Sequence, residues 1–219
     1  MNRLWKRFAA LIVLLGCALA NAGSYDDFFV AIKRDDAGAI NELLRRGFDP
    51  NTIDASGRQG LFMAVQDGSV KAAEALIAWP KTDVEWHNAK GESPLMIASI
   101  KGYKDLVRKL IARDAAVNKT GWTPLHYAAS KGQLEIMQIL LDESAYIDAE
   151  SPNKTTPLMM AAMYGTTPAV KLLLEAGADP TLRNELGLSA VDFAQRANRP
   201  DAAELIAAAI RARQPKGKW

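Results

Sequence analysis

Apolar positions recur along this chain in a fixed order. Phe28, Leu61, Leu95, Leu125, Leu158 and Val191 lie 33, 34, 30, 33 and 33 residues apart. Around three of them the wording is nearly the same: Ser93-Pro94-Leu95-Met96-Ile97-Ala98, Thr123-Pro124-Leu125-His126-Tyr127-Ala128 and Thr156-Pro157-Leu158-Met159-Met160-Ala161. Proline at the head of such a run starts a helix, since its fixed φ suits the first turn, where no N–H partner is needed. Seven residues past each Leu stands Gly68, Gly102, Gly132 or Gly165, with Asp35 and Asn198 in the end copies. These predict a left-handed residue that closes the helix before a tight reversal. Apolar residues at helical spacing follow, such as Ile139-Leu140-Leu141 and Leu172-Leu173-Leu174. Turn signals then close each copy, among them Arg46-Gly47-Phe48-Asp49-Pro50-Asn51 and Ala176-Gly177-Ala178-Asp179-Pro180. Each copy predicts a helix, a turn, a second helix and a loop.

The period and these words resemble the ankyrin repeat, whose first helix opens Thr-Pro-Leu-His-x-Ala and whose exit reads like Gly-Ala-Asp-Val-Asn. The resemblance covers about residues 24–213 and implies an all-α fold, an ankyrin-repeat α-solenoid of about six helix-turn-helix units with short β-hairpin fingers. The units fall at about 24–53, 54–87, 88–118, 119–150, 151–183 and 184–213, together forming a domain over 23–213. No unit can bury its apolar face alone, so stability is largely a sum over neighbouring interfaces. The 30-residue interval places a deletion near Asn118-Lys119-Thr120, where that finger should be stunted. The 34-residue interval places an extra residue near Ala78-Trp79-Pro80-Lys81 and predicts an irregular second unit. Ser24 with Asp27 reads as a capping box opening the first helix.

Composition changes the picture at the amino end. With 219 residues, 49% hydrophobic and 24% charged, the chain is ordinary for a soluble protein. Residues 1–22 carry Arg3, Lys6 and Arg7 before an apolar run from Phe8 to Ala20, then Ala20-Asn21-Ala22 as a small-x-small site. This predicts a secretory signal peptide cleaved between Ala22 and Gly23. The apolar run is shorter than the roughly 20 residues a membrane-spanning helix needs, so the mature form is expected to have no membrane span. A retained anchor is the weaker reading. Leu14-Leu15-Gly16-Cys17 also resembles a lipobox, which would make a lipid anchor at Cys17 and a membrane-tethered lipoprotein the alternative to a periplasmic or secreted protein. Cys17 is the only cysteine, so cleavage after Ala22 removes disulfides and thiol chemistry together. Without the three signal-peptide cations the formal charge falls from +2 to −1, which leaves no electrostatic footprint for nucleic acid. Residues 214–219 form a short basic tail.

Candidate chemistry is sparse. Of two histidines, His126 occupies the His of the repeat motif, where the resemblance implies that the imidazole ties adjacent loops together. His87 falls at a finger beside Trp86 and reads as a surface contact. No spacing of His, Cys or acids suits a metal, and no phosphate-binding glycine loop or nucleophile elbow occurs, so no cofactor is expected. Acidic pairs such as Asp26-Asp27, Asp35-Asp36 and Asp142-Glu143 fall at helix ends, where acids solvate termini. Met159, Met160, Met163 and Tyr164 divide between core filling and a contact surface.

The resemblance places the binding surface on the fingers and on the last positions of each first helix. Carried over residue by residue, the fingers offer Arg58, Trp86, His87, Lys90, Glu92, Trp122, Asn153 and Arg183. The helices offer Gln66, Asp67, Ile100, Lys101, Ser130, Lys131, Met163, Tyr164 and Arg196. Trp122, Tyr164 and Trp86 are the expected anchors, because aromatic residues dominate interface energetics. The expected function is a non-catalytic scaffold in the periplasm that binds another exported protein through its concave face and fingers. Two alternatives stand beside it: an immunity protein capping a secreted toxic enzyme, and a hydrolase using exposed carboxylates.

Overall fold

The computed structural model describes residues 23–213, and the residues of the expected signal peptide and of the basic tail lie outside that range. The chain divides into two compact bodies, one ending at Trp86 and the other starting at His87.

Among the described residues the N-terminal body holds four helices: α1 (residues 23–33), α2 (Ala37–Arg45), α3 (Gly60–Asp67) and α4 (Val70–Ala78). Its core is Phe28, Ile32, Ile40, Leu44, Leu61, Phe62, Met63 and Leu76, all essentially without solvent contact. Phe28 stands where the next four copies have leucine, and Gly60 stands where the third, fourth and fifth copies have proline. The two departures explain each other, since a Cβ on Gly60 would sit 2.7 Å from the Phe28 ring. Asp35 adopts the left-handed conformation (φ 54°), and its carboxylate accepts a hydrogen bond from the Ala72 N–H at 2.8 Å, tying the first reversal to the first turn of α4. Ser24 lies within the first turn described for α1. After α4 the chain leaves through Trp79 in an extended conformation, whereas α2 ends on a helical Arg46 followed by a left-handed Gly47; Pro80 cannot provide that left-handed residue.

Among the described residues the C-terminal body holds eight helices in four hairpins: α5 (Pro94–Lys101) with α6 (Lys104–Ile111), α7 (Pro124–Lys131) with α8 (Leu134–Asp142), α9 (Pro157–Tyr164) with α10 (Thr167–Glu175), and α11 (Ala190–Arg196) with α12 (Pro200–Arg213). The first helices stack as α5–α7–α9–α11 and the second helices as α6–α8–α10–α12. This is a helical solenoid. Leu95, Leu125 and Leu158 are fully buried, and Ala98, Ala128, Ala129, Ala161 and Ala162 beside them are small enough to bring neighbouring backbones together.

In the C-terminal body each first helix opens with a capping box. The side chain of the residue after the repeat leucine folds back on the N-cap: the Ser93 N–H donates to Met96 Sδ and the Thr156 N–H to Met159 Sδ, each at 3.4 Å, while the Met96 N–H donates to Ser93 Oγ at 3.3 Å and the Met159 N–H to Thr156 Oγ1 at 3.4 Å. At α11 the Asp192 carboxylate accepts from the Ser189 N–H at 2.7 Å. Proline at the first position and a Ser or Thr cap explain why these helices start where the sequence says. Gly102 and Gly132 close α5 and α7 with φ 80° and 64°, and Asn198 does the same at φ 54°.

Gly165 departs from the expectation of a left-handed residue, with φ −84° and ψ −146°. A Cβ there would lie 2.3 Å from the Ala129 carbonyl oxygen of the preceding repeat, so this glycine is required by close approach of two backbones. The fingers are short, as expected. Closing hydrogen bonds join Asp54 to Arg58, Asn88 to Glu92, Ser151 to Thr155 and Asn184 to Leu188 across five-residue tips. Strand-like pairing is limited to the isolated bridges Ile53 with Gln59 and Arg183 with Ser189 among the described residues.

Two alanine substitutions separate steric from conformational demands. Gly187 sits at φ 72° in open space, and Lys154 already holds the equivalent place in its finger at φ 60°. Gly187→Ala is expected to cost about 1 kcal/mol and Gly165→Ala roughly 3 kcal/mol, read as loss of unfolding free energy in denaturant titrations. Equal losses would show that backbone contact at Gly165 is not what the position demands.

Candidate binding face

The expected contact residues of the N-terminal body converge. Arg58 pairs with Asp54 through Nε at 2.9 Å and Nη2 at 2.8 Å, and its Nη1 reaches Gln66 Oε1 at 3.3 Å and Asp67 Oδ1 at 3.5 Å. Burial pushes the Asp54 carboxyl up, but the Arg58 and Ser56 N–H groups and the Arg58 charge outweigh it and hold the group below its ordinary value. Trp86 is half-buried and its ring lies 5.1 Å from that of Phe62, so much of this expected anchor is packing.

In the C-terminal body the first helices and finger loops surround a small apolar cleft of about 180 Å³, lined by Ile100 of α5, Trp122 of the short loop, His126, Tyr127 and Ser130 of α7, and Met160 of α9. The cleft brings together Ile100, Trp122 and Ser130 from the expected set. Tyr127 and Met160 were missed. They stand two residues past the repeat leucine, where Ile97 and Phe193 also stand, and that shared position is the signal that could have found them. Met163 is half-buried, Tyr164 is 62% exposed, and Met159 is buried in the N-cap closure, so the methionine cluster splits by position.

One edge of the cleft is polar. The Tyr127 hydroxyl donates to Glu92 Oε1 at 2.9 Å, and Asn88 Nδ2 donates to Glu92 Oε2 at 2.7 Å, so Glu92 is held inside the chain. Burial, with the bond to Glu92 and its charge, raises the Tyr127 pKa well above that of a free phenol. His126 forms the floor. Its Nδ1 accepts from the Thr123 N–H at 3.2 Å, which leaves the Nε2 proton to donate to the Thr155 carbonyl at 2.9 Å. The imidazole thus joins the opening of α7 to the next finger, and the Trp122 ring meets its edge at 5.2 Å.

Lys101 and Lys131 are exposed at the ends of α5 and α7, Arg196 is exposed at the end of α11, and His87 and Lys90 are exposed on the loop before α5. Arg183 donates to the Gly187 carbonyl at 2.6 Å, and exposed Asn153 accepts the Ser151 hydroxyl at 2.6 Å. At the loop 118–122 the Asn118 amide donates to the Ser144 carbonyl and accepts from the Tyr146 N–H, each at 2.8 Å, the same junction that Asn51 makes with the Lys81 carbonyl and the Asp83 N–H. Beside it lies an open groove of about 780 Å³ between Lys119, Tyr146, Glu150 and Lys154.

Among the described residues no group of three or more His, Cys, Asp or Glu is placed to hold a metal ion, and no helix is long and apolar enough to cross a membrane. Of the acidic pairs, Asp35 and Asp36 serve helix N-termini and Asp142 accepts from Gln138. Burial raises the Asp148 carboxyl, against the opposing bond from the Asp179 N–H, and that bond spans two repeats.

Family profiles of ankyrin repeats match residues 28–118, 61–151 and 146–194. The chain belongs to the ankyrin-repeat family, whose members are protein-binding scaffolds. It is similar to the nuclear factor NF-kappa-B p105 subunit of Gallus gallus, with 29% identity over 71% of this chain and 16% of that protein. The mouse B-cell lymphoma 3 protein homolog matches at 28% identity over 66% of this chain and 34% of its own length. The chain thus spans about a third or less of these curated relatives. Among solved structures, an ankyrin repeat domain from Acinetobacter baumannii superposes with a TM-score of 0.73 at 25% identity, covering 83% of this chain and 96% of that one. A chain from the complex of a predatory endopeptidase of Bdellovibrio bacteriovorus with its immunity protein superposes with a TM-score of 0.72 at 25% identity, covering 83% of this chain and 97% of that one.

Buried His126 makes the body sensitive to acid. Burial pushes its pKa from 6.5 to about 4, against the bonds to Thr155 and Ala149 that favour the charged form. The folded state therefore binds the proton less readily than the unfolded chain, and stability falls as pH drops from 6.5 towards 4, by roughly 3 kcal/mol from this group. In urea titrations from pH 7 to pH 4, the destabilisation caused by His126→Asn should shrink as the pH falls. A difference that stays constant would show that the imidazole is not buried in its neutral form.

Proposed function

We propose that this chain is a scaffold that binds another exported protein through the first-helix face of its C-terminal body, with Trp122 and Tyr164 as anchors. The observation that carries the reading is the cleft between α5, α7 and α9: an apolar depression held by buried bonds and rimmed by exposed side chains. Rigid aromatic groups in such a setting are the ones that dominate binding energy. Export rests on the basic, apolar and small-residue order of residues 1–22. Scaffolding without catalysis is supported by the family and by a set of carboxylates that serve helix ends and repeat junctions.

A second reading, an immunity protein that caps a secreted toxic enzyme, is favoured by one observation. The chain matches nearly the full length of a chain from an endopeptidase–immunity protein complex.

One experiment addresses both. The tagged full chain and a Trp122→Ala, Tyr164→Ala double variant are used to capture partners from the periplasmic fraction, and the captured protein is assayed for hydrolytic activity before and after release. The scaffold reading expects at least about tenfold lower recovery with the double variant. The immunity reading further expects a hydrolase that is silent until released. Equal recovery by both chains would remove this face from the account.

A further inference from the structure

The cations of the C-terminal body are distributed unevenly between its two faces. On the second-helix side nearly every cation has an acidic neighbour: Lys104 meets Glu135 at 2.6 Å, Lys171 meets Glu175 at 3.7 Å, Arg211 meets Glu204 at 2.6 Å and Arg213 meets Asp179 at 3.7 Å. The first-helix side differs. Lys101 and Lys131 end α5 and α7, which pack side by side, and each follows a cleft-lining residue, Ile100 or Ser130. Lys90 lies at the tip of the finger where Lys119 Nζ donates to the Gly91 carbonyl at 2.7 Å, which brings two more ammonium groups to the same finger. Among the described residues no carboxylate lies within ion-pair distance of Lys90, Lys101, Lys131 or Lys119. Two acids on this side are engaged, Glu92 by Tyr127 and Asn88, and Asp192 by Ser189, with Arg183 3.7 Å away, while Glu150 and Glu185 are exposed on the later fingers.

An apolar depression with uncompensated cations on the helix ends and finger beside it has a definite complement. We propose that the C-terminal body takes an acidic segment of its protein partner, with one bulky apolar side chain of that segment seated in the cleft of Ile100, Trp122, Tyr127 and Met160. The inference rests on the scaffold reading above and adds the chemistry of the partner. Lys101 and Lys131 supply the field that draws carboxylates to the rim, while the cleft, too small for more than one side chain, fixes the register. Glu92, fixed at the inner edge, disfavours a second carboxylate there and directs the acidic residues outward to the lysines. A nucleic acid fits this arrangement poorly, because only a few cations flank an apolar centre and the chain after residue 22 carries a formal charge of −1.

The test uses the full chain and short labelled peptides followed by fluorescence polarisation. The probe holds one phenylalanine between aspartate and glutamate residues; controls replace the phenylalanine with serine, or the acids with lysine, and a further arm offers a single-stranded oligonucleotide. The acidic phenylalanine peptide is expected to bind at least about tenfold more tightly than either control, and to weaken by about fivefold or more from about 50 mM to about 300 mM salt. The Lys101→Glu, Lys131→Glu variant changes exposed residues at helix ends, and circular dichroism verifies its fold; it should lose that preference. Equal binding of the basic peptide, no measurable binding of the acidic one, or tighter binding of the oligonucleotide would each overturn the inference. Capture from the periplasm separates this failure from a failure of the scaffold reading. A partner lost with Trp122→Ala, Tyr164→Ala but retained with the double charge reversal leaves the scaffold in place and removes the acidic segment.

Discussion

A two-helix hairpin with eight or nine residues per helix has apolar residues on more sides than it can cover by itself, and its neighbour must cover the rest. That constraint sets the repeat period, the alanines at the inner contact and the local closures at each helix start. In the C-terminal body the buried leucines of α5, α7 and α9 lie in one file, and adjacent backbones approach until Gly165 has no room for a side chain. Each repeat adds its interface to the last, so stability is built by nearest-neighbour terms.

The same constraint makes a binding face. Helices locked at their N-termini by Ser or Thr caps and by the residue after the leucine have little freedom to rotate. Side chains on their remaining side, Tyr127, Met160 and Ile100, are therefore held in fixed relation to one another. His126 contributes at two levels: it closes its own helix through Thr123 and fastens the next finger through Thr155. A rigid face lowers the ordering cost of association, which is how a shallow surface can bind a partner selectively.

Much of this was legible from the spacing of a few residues. The Pro-Leu words marked the first helices, and the glycines at the seventh position, with Asp35 and Asn198, marked the reversals. Gly165 shows the limit: one-dimensional pattern assigns a glycine to a turn, whereas its neighbour across the stack is a carbonyl known only in three dimensions. Gly60 beside Phe28 is a similar pair, readable only once the two side chains are seen to meet. The face was half legible. Family positions led to Trp122, Ile100 and Ser130, whereas Tyr127 was not singled out and Met160 was divided between core filling and contact, because its spacing is helical and apolar. Glu92 and Arg58 read as free contacts, yet each is engaged by neighbours within the chain, since charge on a finger is visible in sequence and its hydrogen-bond partners are not.

The stack holds the first helices of the C-terminal body in place before any partner arrives. Native-state amide hydrogen exchange on the free full-length chain measures this directly. The account predicts that amides in the last turns of α7 and α9, including those of Ala128, Ala129 and Ala162, exchange at least about 10³-fold more slowly than in an unstructured peptide and open only together. Exchange of these amides at near-peptide rates, while the outer helices remain protected, would contradict a preformed face.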